Sequence, residues 1–295
     1  MQPDEVPWLR CKRTHTPGAR LVLLAEPQQT PYDFQFRIFG FDVRISPFFW
    51  LAGAILGWNW ATMWDEIFHR SPDFQDTNPG QGPLLLIWIA VMFFSILLHE
   101  LGHAFAIRHY GRNARIILYH FGGLAIEDSS SSFSGFARHR TPHEQIVISA
   151  AGPGIELLLA TILIVLFKSQ GYAVWTGINV IDESLGLRDG RYISSAPLLA
   201  AVDALLFVNV FWALMNLLPV YPLDGGQISR ELFTLFAARD GIKNSLILSV
   251  LTGGAVAVYC LTNQQTMAAM MFGMLAFSSY QILQAYSGRG GHGPW

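Results

Sequence analysis

A long apolar stretch, roughly Leu84–Ile107, carries ionisable side chains near its C-terminal end. Residues 99–103 read His-Glu-Leu-Gly-His. A run of about 20 apolar residues is long enough to cross a bilayer as a helix. Ionisable side chains are costly in hydrocarbon, so they mark a functional site by default when they occur there. This one stretch therefore predicts both a membrane-spanning helix and a polar site built into it.

The spacing within this motif predicts a metal site. His99 and His103 are four residues apart, so on a helix they share a face, where both imidazoles can bind one Zn²⁺. Glu100 lies next to them and can take a proton from a water molecule that the metal activates. The same motif occurs by chance in unrelated helices, and histidines at a helix end can simply be hydrogen-bonded. The apolar setting argues against both alternatives, because an unpaired Glu100 would be costly in lipid.

Composition supports a membrane protein. Of the 295 residues, 52% are hydrophobic and only 14% are charged, which is a low charge content for a soluble protein. The net charge is −2, and no basic stripe or nucleic-acid-binding motif is visible, so we expect a lipid bilayer and no nucleic acid as partner. The two cysteines, Cys11 and Cys260, are far apart and form no disulfide framework.

Six segments are apolar and long enough to be candidate membrane spans. They are Ser46–Trp64, Leu84–Ile107, Glu144–Phe167, Ala196–Leu218, Ser245–Leu261 and Thr266–Leu283. The predicted fold is an all-α polytopic membrane protein with about six transmembrane helices, occupying residues 46–286. The fifth and sixth segments are short and close together, which favours a tight helical hairpin.

The polar segments predict a few short strands. Residues 1–45 contain two alternating runs, 34–39 and 41–45, which are typical of strands. The segment Ala114–Glu127 has β-prone runs on either side of Gly122 and Gly123, which predicts a β-hairpin directly after the metal-binding segment. The glycine-rich end, residues 287–295, is predicted to be disordered.

The distribution of Lys and Arg predicts the orientation. If the N-terminus is cytoplasmic, 15 of the 19 Lys and Arg residues fall in cytoplasmic segments. Cytoplasmic loops carry an excess of these residues, so both termini are predicted to be cytoplasmic. His99 and His103 then lie toward the cytoplasmic side of the membrane.

A third metal ligand is predicted at Asp224. Hydrolytic zinc sites usually have three protein ligands and one open position. The fourth apolar segment runs toward the cytoplasm and is followed by Pro219, Pro222 and then Asp224. Prolines end a helix, so this carboxylate can face a metal at the depth of His103. The alternative is an ordinary turn in which Asp224 caps the next helix.

These motifs resemble the site-2 protease family of intramembrane zinc metalloproteases over about residues 35–235. Residues 99–103 match the HExxH motif of that family, and residues 216–226 match its Asn-x-x-Pro…Leu-Asp-Gly motif. Residues 121–123 are similar to its Gly-Gly loop, and residues 151–153 to its Ala-Gly-Pro step. One departure is visible: the family often has Asn three residues after that proline, where this chain has Glu156.

The resemblance implies a set of roles. One zinc ion per chain would be bound by His99, His103 and Asp224, and Glu100 would act as the general base. Asn216 would hold substrate or support the site, together with Gly122 and Gly123. The implied function is hydrolysis of peptide bonds within or near transmembrane segments of membrane-protein substrates, which are expected to be single-span proteins. Glu156 is not expected to reach the metal.

Two other functions are compatible with parts of the pattern. A second group of membrane zinc proteases takes a Glu ligand from a downstream Glu-x-x-x-Asp pattern, which does not follow His103 here. A non-proteolytic membrane metal-binding or transport protein could also place His and Asp at mid-membrane. Such a protein does not need Glu100 next to the first histidine.

Overall fold

The chain folds into eight described helices and four strands, which we label in chain order. The computed structural model describes residues 29–120, 122–127, 140–237 and 240–288. The helices are α1 (Pro47–Arg70), α2 (Gln81–His109), α3 (Pro142–Ser169), α4 (Asn179–Ser184), α5 (Ala196–Asn216), α6 (Asp224–Phe236), α7 (Gly241–Thr262) and α8 (Thr266–Gly288). A short 3-10 helix, Pro72–Thr77, connects α1 to α2.

Five helices are long and apolar enough to cross a membrane: α2, α3, α5, α7 and α8. They correspond to the second to sixth predicted segments, so the chain is an integral multi-pass membrane protein. The first predicted segment lies within α1, which has 24 residues. It is long enough to span, but Asn59 and several tryptophans make it less apolar than the other five. Its crossing of the membrane therefore stays a prediction.

Both predicted strand pairs are confirmed. They form β1 (Phe34–Ile38) with β2 (Phe41–Ile45), and β3 (Ala114–Tyr119) with β4 (Gly122–Glu127). The sequence did not indicate that β2 and β3 pair in parallel, which joins all four strands in the order β1-β2-β3-β4. Parallel neighbours need a long crossover connection, and here α1 and α2 provide it. The N-terminal strands are therefore tied to the helix that carries the HExxH motif.

Helix α2 lies at the centre of the helical packing. It contacts α1, α3 and α5 as well as strands β3 and β4. Its last turns pack apolar side chains such as Leu101 and Ile107 against Phe41 and Val43 of β2. Burying the inner face of the sheet on α2 removes apolar surface from water, which stabilises the fold by roughly 25 cal/mol per Å² buried. This packing fixes the depth and rotation of α2, and with them the position of its two histidines.

The last two long helices form the predicted hairpin. Helix α8 packs mainly against α7, to which a short turn connects it. Ser287 and Gly288, the first two residues of the predicted disordered tail, are the last residues of α8. Residues 1–28 and 289–295 lie outside the described part of the chain, and with them the rest of the predicted disordered tail.

Candidate metal centre

Two helices bring together the three predicted metal ligands. His99 and His103 project from one face of α2, as their spacing predicted, and both are buried. Asp224 is the first residue of α6 and is also buried. Helix α5 ends at Asn216, and the segment 217–223 turns the chain back so that α6 begins beside α2. The N-cap residue of α6 is Leu223 and not Asp224, and the carboxylate of Asp224 contacts His99 and His103, which disfavours the capping alternative.

The distances between the donor atoms fit a single metal ion. The Nε2 atoms of His99 and His103 are 2.9 Å apart, and Oδ2 of Asp224 lies 3.2 and 3.4 Å from them. Tetrahedral zinc with bonds of about 2.0–2.1 Å places neighbouring ligand atoms about 3.3 Å apart. In the part of the chain that the structure describes, these three residues form the one group able to hold a metal.

Hydrogen bonds to α3, on the side away from the metal position, orient both imidazoles. Nδ1 of His103 lies 2.7 Å from the backbone oxygen of Ile148, and Nδ1 of His99 lies 2.9 Å from Oε2 of Glu156. Each acceptor fixes the proton on Nδ1, which leaves the Nε2 lone pair directed into the gap between the ligands. This is the tautomer that a metal requires.

Helix α3 can approach this closely because residue 152 is glycine. A Cβ atom on Gly152 would lie 2.8 Å from Nε2 of His99 and closer still to the imidazole of His103. A larger residue would therefore enter the space between the ligands. The sequence match at the Ala-Gly-Pro step thus has a steric reason in this structure.

Glu100 is buried beside the ligands and faces the β3–β4 hairpin. A Cβ atom on Gly123 would lie 2.6 Å from Cδ of Glu100, so only glycine leaves room for the carboxylate there. Gly122, with φ +121°, and Asn216 line the same cavity of about 260 Å³ as the three ligands and Glu100. All the residues predicted for the site therefore meet around one cavity.

The charge state of Asp224 suits a metal ligand. Burial alone would raise the pKa of Asp224, but when the two imidazoles are protonated, the charge of His103 and hydrogen bonds from His103 and His99 lower it to about 2. The carboxylate is therefore ionised at neutral pH. Tyr119, at the end of β3, lines the cavity as well. Its pKa is raised by burial and then by the charge of Glu100, so its phenol stays neutral.

Glu156 was not expected to reach the metal, and it does not belong to the group of residues that could hold one. The sequence did not indicate its contact with a ligand: Glu156 is fully buried and accepts a hydrogen bond from His99. A signal was available, because an ionisable residue within an apolar segment needs a partner. The partner could not be chosen from the sequence, since the register between α2 and α3 is a tertiary property. Tyr119 was likewise not recognised as part of the site.

Comparison with known proteins identifies the class. The family model described as Peptidase family M50 matches residues 87–260, which is more than half of the chain. The chain therefore belongs to peptidase family M50, and the expected membership of the site-2 protease family of zinc metalloproteases is confirmed.

Individual relatives agree with this class. The chain is 27% identical over 195 residues to zinc metalloprotease MJ0392 of Methanocaldococcus jannaschii, covering 65% of this chain and 44% of the relative. It is 26% identical over 196 residues to the protein sll0528 of Synechocystis, covering 66% and 42%. The chain thus spans less than half the length of these relatives. A solved site-2 protease from Methanocaldococcus jannaschii is 19% identical, with a TM-score of 0.47 over 85% of this chain and 95% of that one.

Proposed function

We propose that this protein is an intramembrane zinc endopeptidase that hydrolyses peptide bonds within or near transmembrane segments of membrane-protein substrates. One observation carries the proposal: three buried donor atoms at tetrahedral spacing lie beside a buried carboxylate, Glu100, on the wall of a cavity between apolar helices. His99, His103 and Asp224 would hold the ion. A metal store or transporter has no need of Glu100 at that position.

Each residue then has a definite task. When bound, zinc lowers the pKa of a water molecule and polarises the scissile carbonyl. Glu100 accepts the proton of the attacking water and passes it to the leaving amine. Asn216, which lines the cavity, would hold the substrate backbone, and Gly123 leaves room for the carboxylate of Glu100.

The cavity suits an extended peptide rather than a helix. A helical substrate hides its carbonyls in hydrogen bonds, so it must unwind before attack. Strand β4 is the last strand of the sheet in the described residues, and its residues Gly122–Ala125 line the cavity. An unwound segment of a single-span protein can therefore add to this edge as a further strand.

Replacing Glu100 tests the proposed function. The Glu100→Gln change keeps the size of the side chain and removes the base, while all three metal ligands remain. We expect the purified protein to retain zinc, measured by metal analysis, and to lose cleavage of a model single-span substrate. Removing zinc with a chelator should abolish parental cleavage, and adding zinc back should restore it.

The matched control is Glu66→Gln, which alters an exposed glutamate of α1 and should leave both zinc content and cleavage unchanged. Retained turnover in Glu100→Gln would overturn the role of Glu100. Parental protein that binds zinc but moves it across vesicle membranes without cutting any peptide would favour the transport alternative instead.

A further inference from the structure

Glu156 is an acidic side chain buried in a candidate membrane span. It lies in α3, is 0% exposed, and its Oε1 atom has no hydrogen-bond partner among the described residues. Burying a carboxylate costs several kcal/mol unless good partners compensate. Its Oε2 atom accepts a hydrogen bond from Nδ1 of His99, at 2.9 Å. The contact that compensates for its burial is therefore a contact to a candidate metal ligand.

Two residues of α3 lie against a single imidazole, that of His99. Gly152 and Glu156 are four residues apart and share a helix face. Gly152 approaches the Nε2 side of His99, and Glu156 contacts the Nδ1 side. The ring is thus enclosed by one face of α3. His103 is oriented differently, by the backbone oxygen of Ile148, so a side-chain substitution can release His99 and leave His103 held.

We propose that Glu156 is a positioning residue that orients His99 for metal binding and raises its strength as a ligand. The proposal rests on the proposed zinc site. A carboxylate that accepts the Nδ1–H of a ligating histidine fixes its tautomer and ring orientation, and loss of such a partner typically lowers metal affinity by about 10- to 100-fold.

Two substitutions at position 156 separate the effect of the hydrogen-bond acceptor from the effect of side-chain packing. Glu156→Leu introduces an apolar side chain of similar size and removes the acceptor. We expect zinc affinity, measured by competition with a chelator, to fall about 10- to 100-fold. Glu156→Gln keeps an oxygen acceptor, so its affinity should lie between those of the parent and Glu156→Leu. The absorption spectrum of the cobalt-substituted protein should change in Glu156→Leu, because His99 is no longer fixed.

The control is a second buried carboxylate in a membrane-spanning helix. Asp203 of α5 accepts hydrogen bonds from the indoles of Trp60 and Trp64 at 3.1 and 3.0 Å, and it does not belong to the metal-binding group. Asp203→Asn should keep parental zinc affinity and the parental cobalt spectrum, even if it unfolds more easily. Glu156→Leu also alters a buried side chain, so affinities are compared for the folded fraction only.

The outcomes distinguish this inference from the proposed function. If His99→Ala loses zinc while Glu156→Leu binds it as tightly as the parent, the positioning role is wrong and the zinc site stands. If Glu156→Leu and Asp203→Asn weaken zinc binding equally, the effect is structural and the positioning role is also wrong. If His99→Ala binds zinc like the parent, the proposed metal site itself fails.

Discussion

At the scale of single residues, the site depends on partners for every buried polar atom that faces the metal position. His99 has Glu156 on one ring nitrogen and Asp224 near the other. His103 has a backbone oxygen on one and the same Asp224 near the other. In a low-dielectric interior such contacts are stronger than in water, and their loss is costly. Asp224 is the residue that both imidazoles share.

Asp224→Asn tests this shared position. The change keeps the size of the side chain but replaces a carboxylate by a neutral amide, which is a poor zinc ligand. We expect zinc affinity to fall by more than the roughly 10- to 100-fold loss that outer-shell substitutions cause, and cleavage to be lost. Chelator competition and the cleavage assay measure the two effects. Parental zinc affinity in Asp224→Asn would remove this residue from the ligand set.

At the scale of elements, the segment that carries Asp224 is held by the α7–α8 hairpin. The backbone N–H of Tyr221 donates to Oγ of Ser249 in α7 at 2.7 Å. Ser249 and Ser279 of α8 are hydrogen-bonded to each other at 2.8 Å, and the hydroxyl of Ser279 donates to the backbone oxygen of Tyr221 at 3.2 Å. This closed ring of hydrogen bonds fixes the chain three residues before Asp224.

Ser249→Ala should break this ring. It removes the acceptor of the partly buried Tyr221 N–H, and the loss of such a hydrogen bond costs about 0.5–1.5 kcal/mol. We expect a lower unfolding midpoint in detergent and weaker zinc binding, because the segment before Asp224 is less well fixed.

The matched control for this change is Ser278→Ala. Ser278 is the neighbour of Ser279 in α8, is buried, and its hydroxyl has no hydrogen-bond partner among the described residues. Its removal breaks no hydrogen bond with the described residues, so neither the unfolding midpoint nor zinc binding should fall. Equal effects of the two substitutions would mean that the ring contributes nothing beyond packing.

At the scale of the whole molecule, the membrane crossing of α1 decides the topology. Five crossings place the ends of the chain on opposite sides of the membrane, whereas six place them on the same side. Helix α1 exposes apolar side chains along its length, including Leu51, Ile55 and Trp58, which suits contact with lipid. Its packing against α2 places it alongside a helix that does have the length and composition of a span.

We therefore predict six crossings, with both ends of the chain in the cytoplasm, as the distribution of Lys and Arg indicates. Reporter fusions at the two ends, and one inserted within Pro72–Thr77, measure the side of each. The two ends should report cytoplasm and the insertion the opposite side. Ends on opposite sides would show that α1 does not cross.

The sequence by itself determined the elements and most of the site. Apolar segment length predicted five spans now seen as apolar helices, alternation predicted the strands, and i, i+4 spacing placed His99 and His103 on one face. These signals are local, so they can be read from neighbouring residues. Asp224 could be predicted because the helix-breaking prolines and the direction of the fourth segment are also readable along the chain.

The tertiary structure alone decided which distant groups meet. The parallel pairing of β2 with β3, the hydrogen bond from His99 to Glu156, and the ring between Tyr221, Ser249 and Ser279 each join segments far apart in sequence. Helix α3 is apolar around much of its surface, so its composition does not say which face turns toward α2. Close packing sets that rotation. Gly152 leaves room for the imidazoles, and the same face of α3 therefore brings Glu156 into contact with His99.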